Sequence, residues 1–316
     1  MRNLWLLVAA VCITLATSCG SNHRKPATWR TSDDVHIAVD ETFRDIMEEE
    51  VETFGLLNPA SAMKPVYCSE DSAIRMLLRD SVRCAITTRK LSKDELDVLK
   101  NYKLDAKQAM IATDAFALIV SKDNPDTLIT VPEIRDIVSG RITRWEQLKH
   151  SGKKGELKLV FDNSGSSTVR YMRDSLLAGQ QVAGNLYAQG SNQAVIDAVK
   201  DNPEIIGVVG ANWLKGKSDS VLTSFENLDV KVLKVARKDG KNEIGWRPYQ
   251  YRILTGDYPL IRSVYVILTD PRVRSYTKSF FYFLKGQKGQ TIICNSSQLL
   301  PYTPVQYKSV RACSAR

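Results

Sequence analysis

From residue 35 onward, short apolar runs alternate with stretches whose apolar residues recur every three or four positions. The run at 35–39 predicts a buried strand, and the apolar positions between Phe43 and Phe54 predict the helix that follows it. The same order recurs with strands at 66–67 and 84–86, each followed by a helical pattern. A repeated strand–helix order predicts a parallel sheet with helices packed on its faces.

The rhythm changes near residue 110, where apolar runs at 109–112 and 116–120 predict two strands in close succession. We interpret this change as a crossing into a second lobe and the run at 258–265 as the return. A helix around 273–284 is the last predicted element, and a polar tail follows it. Two crossings between lobes predict a hinge.

The predicted fold is therefore α/β and two-lobed, and each lobe is a mostly parallel sheet flanked by helices, with two crossover strands at the hinge. Helices are predicted to begin near Ser166 and Ser191 in the second lobe. The expected boundaries are 33–112 together with 251–316 for lobe 1, and 113–250 for lobe 2.

The first residues have the composition of an export signal. One positive charge precedes an apolar run at 4–15, which is too short to cross a bilayer. Small residues stand directly before Cys19, and this segment resembles a bacterial lipobox, in which the cysteine is acylated. We predict a lipoprotein signal peptide at 1–19 and a polar tether at 20–32. The alternative is an ordinary cleavage site followed by an incidental cysteine.

Charge and cysteine content narrow the function classes only modestly. The formal net charge is +9, which suits anionic partners, but Lys and Arg are scattered without a basic block, so no nucleic-acid partner is expected. There is no CxxC pair, so neither a zinc site nor a redox motif is indicated, and no cofactor or metal is expected. Cys294 and Cys313 are the one pair considered for a disulfide.

The loop at 161–171 carries the most specific chemistry in the chain. A predicted strand ends, Gly165 allows a tight turn, and three hydroxyl residues open a helix that carries Arg170 in its first turn. Helix N-termini attract anions through free N–H groups and the helix dipole. Hydroxyls and a guanidinium there could replace the water shell of an oxyanion. The plainer alternative is a well-capped helix, since Ser and Thr are common N-caps.

At this loop the chain resembles the phosphate-binding proteins of bacterial ABC transporters (PstS-like, periplasmic-binding-protein type II superfamily). The likeness spans most of the sequence after the tether. Four further segments carry it in the family's order: 114–125 with its Asn-Pro turn, 130–145, 190–207, and the returning Tyr-Pro-Leu-x-Arg strand at 258–262. The resemblance implies two lobes that close on one desolvated oxyanion and hand it to a membrane permease.

Carried over by position, the resemblance also implies the ligand residues. They come from four loops: Thr42, Phe43, Ser69, Thr88, Arg89, Ser166, Ser167 and Thr168. The chemistry of the fourth loop adds Arg170. Phe43 could equally be a core residue of the first helix, and Arg89 a surface residue.

Three positions depart from the family pattern. Thr88 stands where the family commonly has an Asp that accepts the phosphate proton, Asp162 stands in place of an Arg, and Glu70 follows Ser69 in a loop that is often rich in Ser and Gly. We expect Arg89 and Arg170 to supply positive charge, and Asp162 or Glu70 to accept the proton. Such an acceptor would discriminate against fully ionised sulfate.

The expected function is capture of an oxyanion, with inorganic phosphate as the expected ligand, by a monomeric lipid-anchored protein of the cell envelope that serves an ABC permease. No Ser/His/Asp or Cys/His arrangement indicates an enzyme. Two alternatives keep the same fold: an oxyanion sensor without a permease, and a surface lipoprotein that acts by protein contact.

Overall fold

A computed structural model describes residues 35–180, 182, 186–214, 225, 228–238 and 243–306. The predicted signal peptide, Cys19, the tether and Cys313 lie outside the described residues. Cys294 carries a free thiol. Among the described residues, no helix is both long and apolar enough to cross a membrane.

The first lobe opens with three strand–helix units, as the hydrophobic pattern predicts. The strands are β1 (Val35–Asp40), β2 (Met63–Cys68) and β3 (Cys84–Thr87), and the helices are α1 (Arg44–Leu57), α2 (Glu70–Leu78) and α3 (Lys93–Asn101). Ser92 and Glu95 form a capping box at the start of α3, so each satisfies a backbone N–H that the helix leaves free.

The crossing between lobes is one continuous strand, β4 (Lys107–Ser121), and the prediction of two strands is wrong. The polar interruption in the apolar pattern is not a turn. Asp114 is buried there and faces Arg262 on the neighbouring strand, which satisfies its charge within the sheet. Ile111 packs in the core of the first lobe and Leu118 in that of the second, so the strand joins both cores.

The second lobe continues the alternation of strands and helices. Its elements are β5 (Leu128–Thr130), α4 (Val131–Val138), β6 (Lys158–Phe161), α5 (Ser167–Tyr171), β7 (Leu186–Ala188), α6 (Asn192–Asp201), β8 (Ile205–Gly210), β9 (Val230–Val232) and β10 (Lys234–Ala236). Ser166 and Ser191 are the N-caps of α5 and α6, as predicted.

The chain returns to the first lobe through β11 and ends in two helices, where the prediction had only one. The elements are α7 (Gln250–Leu254), β11 (Ile261–Leu268), α8 (Tyr276–Lys285), α9 (Gln287–Ser296) and β12 (Leu300–Pro301). The prediction of a polar tail directly after the helix at 273–284 is wrong, because α9 follows that helix. The sequence shows no helical pattern there because α9 has few apolar residues. Helix α9 is nevertheless held in the core through Ile293, which is fully buried.

The main sheet runs in the order β2-β1-β3-β11-β4-β8-β6-β7. Strands β2, β1 and β3 are parallel on one side, and β8, β6 and β7 are parallel on the other. Between them β11 and β4 run antiparallel to each other and to their neighbours. The predicted two-lobed α/β fold is confirmed, and the crossover strands lie at its centre.

Candidate functional site

The loop after β1 is held against the second lobe. Asp40 ends the strand and accepts the N–H of Thr42 at 3.0 Å. The carbonyl of Thr42 accepts two bonds from the turn after β8, from Asn212 Nδ2 at 2.7 Å and from Trp213 Nε1 at 2.8 Å. Gly210 permits this approach, since a Cβ there would lie 2.6 Å from the Thr42 side chain. The first predicted ligand loop therefore sits between the lobes.

The loop after β6 places its hydroxyls in the interior. Ser166 is the N-cap of α5 and accepts the N–H of Val169 at 3.3 Å. Ser167 and Thr168 are fully buried, and Asp162 at the end of β6 is 1% exposed. The carboxyl ends of β1 and β6 thus carry the polar groups that an anion-binding cleft of an open α/β fold requires.

A buried arginine lies between these two loops. Arg262 on β11 donates from Nε to Asp114 Oδ2 at 2.8 Å and from Nη1 to Ser167 Oγ at 2.7 Å. Its guanidinium carbon lies 4.1 Å from the ring centroid of Phe116 and 5.4 Å from that of Phe43. Phe43 is therefore both a core residue and a wall of this site.

Sequence reasoning treated Arg262 only as part of a family strand motif and missed it as a site residue. The signal that could have found it is a cation inside an apolar strand, opposite an acidic residue inside the other crossover strand. We call the residues around this guanidinium the inner cluster: Asp40, Thr42, Phe43, Asp114, Asp162, Ser166, Ser167, Thr168 and Arg262.

The inner cluster holds several buried polar atoms without a hydrogen-bond partner. These are Asp40 Oδ2, Thr42 Oγ1, Asp114 Oδ1, Asp162 Oδ1, Thr168 Oγ1 and Arg262 Nη2, and Asn192 Oδ1 and Asn212 Oδ1 of the second lobe share this property. An unsatisfied buried group costs about 1–3 kcal/mol. Such a concentration of them is typical of a site built for a polar ligand that both donates and accepts hydrogen bonds.

The carboxyl groups of the inner cluster hold protons more tightly than usual. Burial raises the pKa of Asp162 to about 6, a hydrogen bond from Ser166 opposes this rise, and the charge of Asp40 adds a smaller rise. Burial also raises the pKa of Asp40 and of Asp114, and the charge of Arg262 opposes both shifts. Asp162 can therefore exchange a proton with a ligand near neutral pH.

A second set of predicted site residues forms an ion-pair bridge between the lobes. Glu70 Oε2 accepts Arg170 Nε at 2.6 Å, and Glu70 Oε1 accepts the N–H and the hydroxyl of Thr88 at 2.6 and 2.7 Å. Arg170 Nη2 also donates to Thr88 Oγ1 at 2.7 Å. Burial raises the pKa of Glu70, but the charge and hydrogen bonds of Arg170 outweigh it and lower the pKa. Both oxygens of Glu70 are engaged, so Asp162 suits the role of proton acceptor better.

The two remaining predicted residues are engaged within the first lobe. Arg89 binds both oxygens of Glu95 at 2.7 and 2.8 Å, which neutralises its charge and reinforces the cap of α3. Ser69 caps α2 and exchanges bonds with Ser72. Ser69 still lies beside the fourth loop, since a Cβ on Gly165 would lie 3.5 Å from its hydroxyl.

Apart from Ser69 and Glu70, the predicted residues thus fall into two groups. The inner cluster contains Thr42, Phe43, Asp162, Ser166, Ser167 and Thr168. Thr88, Arg89 and Arg170 line an open cavity of about 520 Å³, which we call the outer pocket, and Arg262 lines it as well. In the part of the chain that the structure describes, no three His, Cys, Asp or Glu side chains are grouped so as to hold a metal ion.

Two α/β lobes joined by crossover strands, with hydrogen-bonding groups of both enclosed between them, define the class of two-lobed binding proteins. The family model described as "PBP superfamily domain" matches residues 25–287, and the chain belongs to this superfamily.

Curated relatives and a solved structure extend the likeness to phosphate-binding proteins. Protein SphX of Synechococcus elongatus is 24% identical over 241 residues, which is 73% of this chain but only 66% of SphX. The phosphate-binding protein PstS of Pseudomonas aeruginosa is 22% identical over 285 residues, covering 86% of this chain and 84% of that protein. A substrate-binding protein of Clostridium perfringens, solved with bound phosphate, has a TM-score of 0.70 at 21% identity and covers 86% of this chain and all of its own. The predicted PstS-like relationship is confirmed.

Proposed function

We propose that this chain is a solute-binding protein that captures inorganic phosphate in the inner cluster and delivers it to an ABC transporter. The observation that carries the proposal is the buried guanidinium of Arg262, which bonds to a hydroxyl of the loop after β6 while its Nη2 has no partner. Phosphate as the ligand is supported by the likeness to PstS of Pseudomonas aeruginosa, a phosphate-binding protein, and to the Clostridium perfringens protein that was solved with bound phosphate.

Each group of the inner cluster has a role in this proposal. Thr42, Ser166, Ser167 and Thr168 offer hydroxyl donors to the phosphate oxygens, and Arg262 supplies the positive charge that we had expected from Arg89 and Arg170. Hydrogen bonds to charged groups contribute about 1.5–3 kcal/mol each, about twice as much as neutral ones.

Asp162 is the proposed acceptor of the phosphate proton. Its Oδ1 has no partner and its side chain is buried, so an oxyanion without a proton would bring two acceptors into contact. Binding of singly protonated phosphate converts that repulsion into a hydrogen bond, and sulfate has no proton to offer at neutral pH.

The proposed location is supported by the sequence of the N-terminal segment, which resembles a lipoprotein signal peptide. A lipid-anchored, monomeric protein on the outer side of a bacterial membrane fits a signal peptide that ends at Cys19, and the tether at 20–32 would let the folded part reach the permease. In this role the chain binds and releases its ligand without chemical change.

Equilibrium dialysis with radiolabelled phosphate tests the proposal. We expect one equivalent to bind with a dissociation constant of about micromolar or tighter. Thr168→Val removes an unpartnered buried hydroxyl of the site and should weaken phosphate binding by about fivefold while leaving the folded state intact. Thr269→Val is the matched control, because Thr269 is equally buried and its hydroxyl also has no partner, but it lies outside the inner cluster.

The result also separates the alternatives. Absence of phosphate binding by the wild-type protein would contradict the proposal and favour a protein-contact role, for which the engagement of Arg170 by Glu70 is the supporting observation. Phosphate binding without any stimulation of uptake by a reconstituted permease would favour a sensor.

A further inference from the structure

Strands β1 to β4 of the first lobe all begin at the edge of the sheet that lies opposite the inner cluster. Val35, the first residue of β1, pairs with Met63, the first residue of β2. Leu268, the last residue of β11, pairs with Cys84 and with Lys107. Four segments lie at this edge, and we call them the far end: 56–62, 79–83, 102–107 and 269–275.

The far end exposes several large apolar side chains. Val273 is 85% exposed, Leu56 is 76% exposed and Tyr102 is 68% exposed. Leu57, beside Leu56, is also exposed. Single exposed apolar residues are normal on a soluble protein, but several of them at one end of a lobe indicate an interaction surface.

The far end also carries an excess of positive charge. It contains the cations Arg79, Arg83, Lys103, Lys107, Arg272 and Arg274 and the carboxylates Asp80, Asp105 and Asp270. Two of these carboxylates are bonded to arginines of the far end itself, at 2.9 and 2.7 Å. Among the described residues, Arg79, Lys103 and Lys107 are exposed and make no ion pair. Such a surface complements one that carries negative charge.

The predicted lipid anchor joins the folded part of the chain at this same end. The described residues begin at Val35, at the start of β1. Treated as a random coil, the predicted tether at 20–32 would span roughly 20 Å. An anchor at Cys19 would therefore hold the far end closer to the lipid than the cleft, and the tether would give the bilayer a high effective concentration there.

We propose that the far end rests on the surface of the anionic membrane that carries the anchor. Val273, Leu56 and Tyr102 enter the headgroup region, while the exposed cations bind lipid phosphates. This inference rests on the proposed location of the protein but not on its binding of phosphate. In this orientation the cleft is held away from the lipid, whose negative surface would repel phosphate.

Hydrogen–deuterium exchange of the acylated protein tests this contact in vesicles of phosphatidylcholine alone and of phosphatidylcholine with phosphatidylglycerol. We expect the backbone amides of 56–62, 102–107 and 269–275 to exchange at least about fivefold more slowly in the anionic vesicles than in the neutral ones. High salt should remove the difference, because it screens the attraction. The internal control is the loop at 149–155 of the second lobe, which also contains lysines but exposes no large apolar side chain. Its exchange should be the same in both kinds of vesicle.

Two matched pairs of variants separate this contact from a general effect of charge. Val273→Asp should abolish the slowing at 56–62, a segment outside the substituted loop. Ile244→Asp is its control, because Ile244 is also β-branched and 66% exposed but lies in the second lobe. Lys103→Glu should reduce the slowing at least about threefold. Its control is Lys154→Glu, since Lys154 is exposed and has no ion pair among the described residues but lies outside the far end.

Three results would overturn the inference: no slowing at the far end, equal effects within either pair of variants, or slowing that also appears in neutral vesicles and grows with the amount of protein per vesicle. The last result would mean that a second copy of the chain covers the far end.

Phosphate binding keeps this inference distinct from the proposed function. In equilibrium dialysis, Val273→Asp should bind phosphate as the wild type does. Absence of phosphate binding by the wild type would contradict the proposed capture of phosphate and leave the membrane contact standing. An unacylated Cys19 in the mature protein would remove the proposed location and this contact together.

Discussion

The pKa of Asp162 makes a quantitative prediction about anion selectivity. If Asp162 must be protonated for sulfate to bind, the apparent sulfate affinity scales with the protonated fraction of this carboxyl. With a pKa of about 6, that fraction is about one thirtieth at pH 7.5 and about nine tenths at pH 5. Sulfate affinity should therefore rise by about 30-fold as the pH falls from 7.5 to 5.

Asp162→Asn places a hydrogen-bond donor where the protonated acid would be. The variant should bind sulfate at pH 7.5 about 30-fold more tightly than the wild type and lose most of the pH dependence. It should bind phosphate about tenfold or more weakly, because the acceptor for the phosphate proton is gone. Competition calorimetry with sulfate and phosphate at pH 5, 6 and 7.5 measures both effects.

The control is Asp105→Asn, which makes the same charge change at an exposed residue outside the cleft. If sulfate affinity stayed flat across this pH range, or if Asp162→Asn left the preference for phosphate over sulfate untouched, Asp162 would have no part in selectivity.

Three further predictions concern stability and lobe closure. Glu50 is fully buried, its carboxyl oxygens have no hydrogen-bond partner, and burial raises its pKa to about 9. Above the ordinary pKa of a glutamate the unfolded state therefore loses this proton, whereas the folded state keeps it. Through this group the free energy of unfolding should fall by about 1.4 kcal/mol per pH unit from about pH 5 toward 9. In urea denaturation, Glu50→Gln should gain stability relative to the wild type as the pH rises. A stability difference between the two proteins that did not change with pH would contradict the raised pKa of Glu50. Gly207→Ala would place a Cβ 2.7 Å from the Val199 side chain and should lower the free energy of unfolding by about 1–3 kcal/mol. The control Gly55→Ala, whose Cβ would have nothing within 4 Å, should stabilise helix α1 in the same urea denaturation experiment. Equal effects of the two substitutions would show that the contact at Gly207 relaxes freely. Glu70→Gln removes the carboxylate that joins the lobes through its ion pair with Arg170. In small-angle scattering without added ligand, the radius of gyration of this variant should therefore exceed that of the wild type. An unchanged radius of gyration would mean that other contacts hold the lobes together.

The strands, helices and helix caps of this fold were predictable because they depend on residues that are close together in the sequence. An apolar run located β1, apolar residues at helical spacing located α1, and hydroxyl residues before helical runs marked the caps at Ser166 and Ser191. The cap at Ser166 lies in the loop after β6, so the loop that brings Ser167 and Thr168 into the inner cluster was located with it.

The electrostatics of the site were not predictable in the same way. Arg262 and Asp114 are 148 positions apart, and their pairing depends on the register of two antiparallel strands. Glu70 and Arg170 are 100 positions apart and meet only because the lobes do. No local pattern encodes such distances, which is why Arg170 was expected to face the ligand and instead binds a carboxylate.

An inner cluster with more carboxyls than cations can hold an anion only if protons make up the balance. With Asp40, Asp114 and Asp162 all ionised, Arg262 would leave a net charge of about −2 around the ligand, and phosphate would be repelled. Burial raises the pKa of all three carboxyls, so the cluster is closer to neutral than its composition suggests. An entering anion raises the pKa values of Asp40 and Asp114 further, because negative charge favours the protonated acids, whereas Asp162 accepts the proton that phosphate itself carries. Proton uptake and anion capture are therefore two parts of one equilibrium, and the paired charges of Glu70 and Arg170 stay outside it because each already compensates the other.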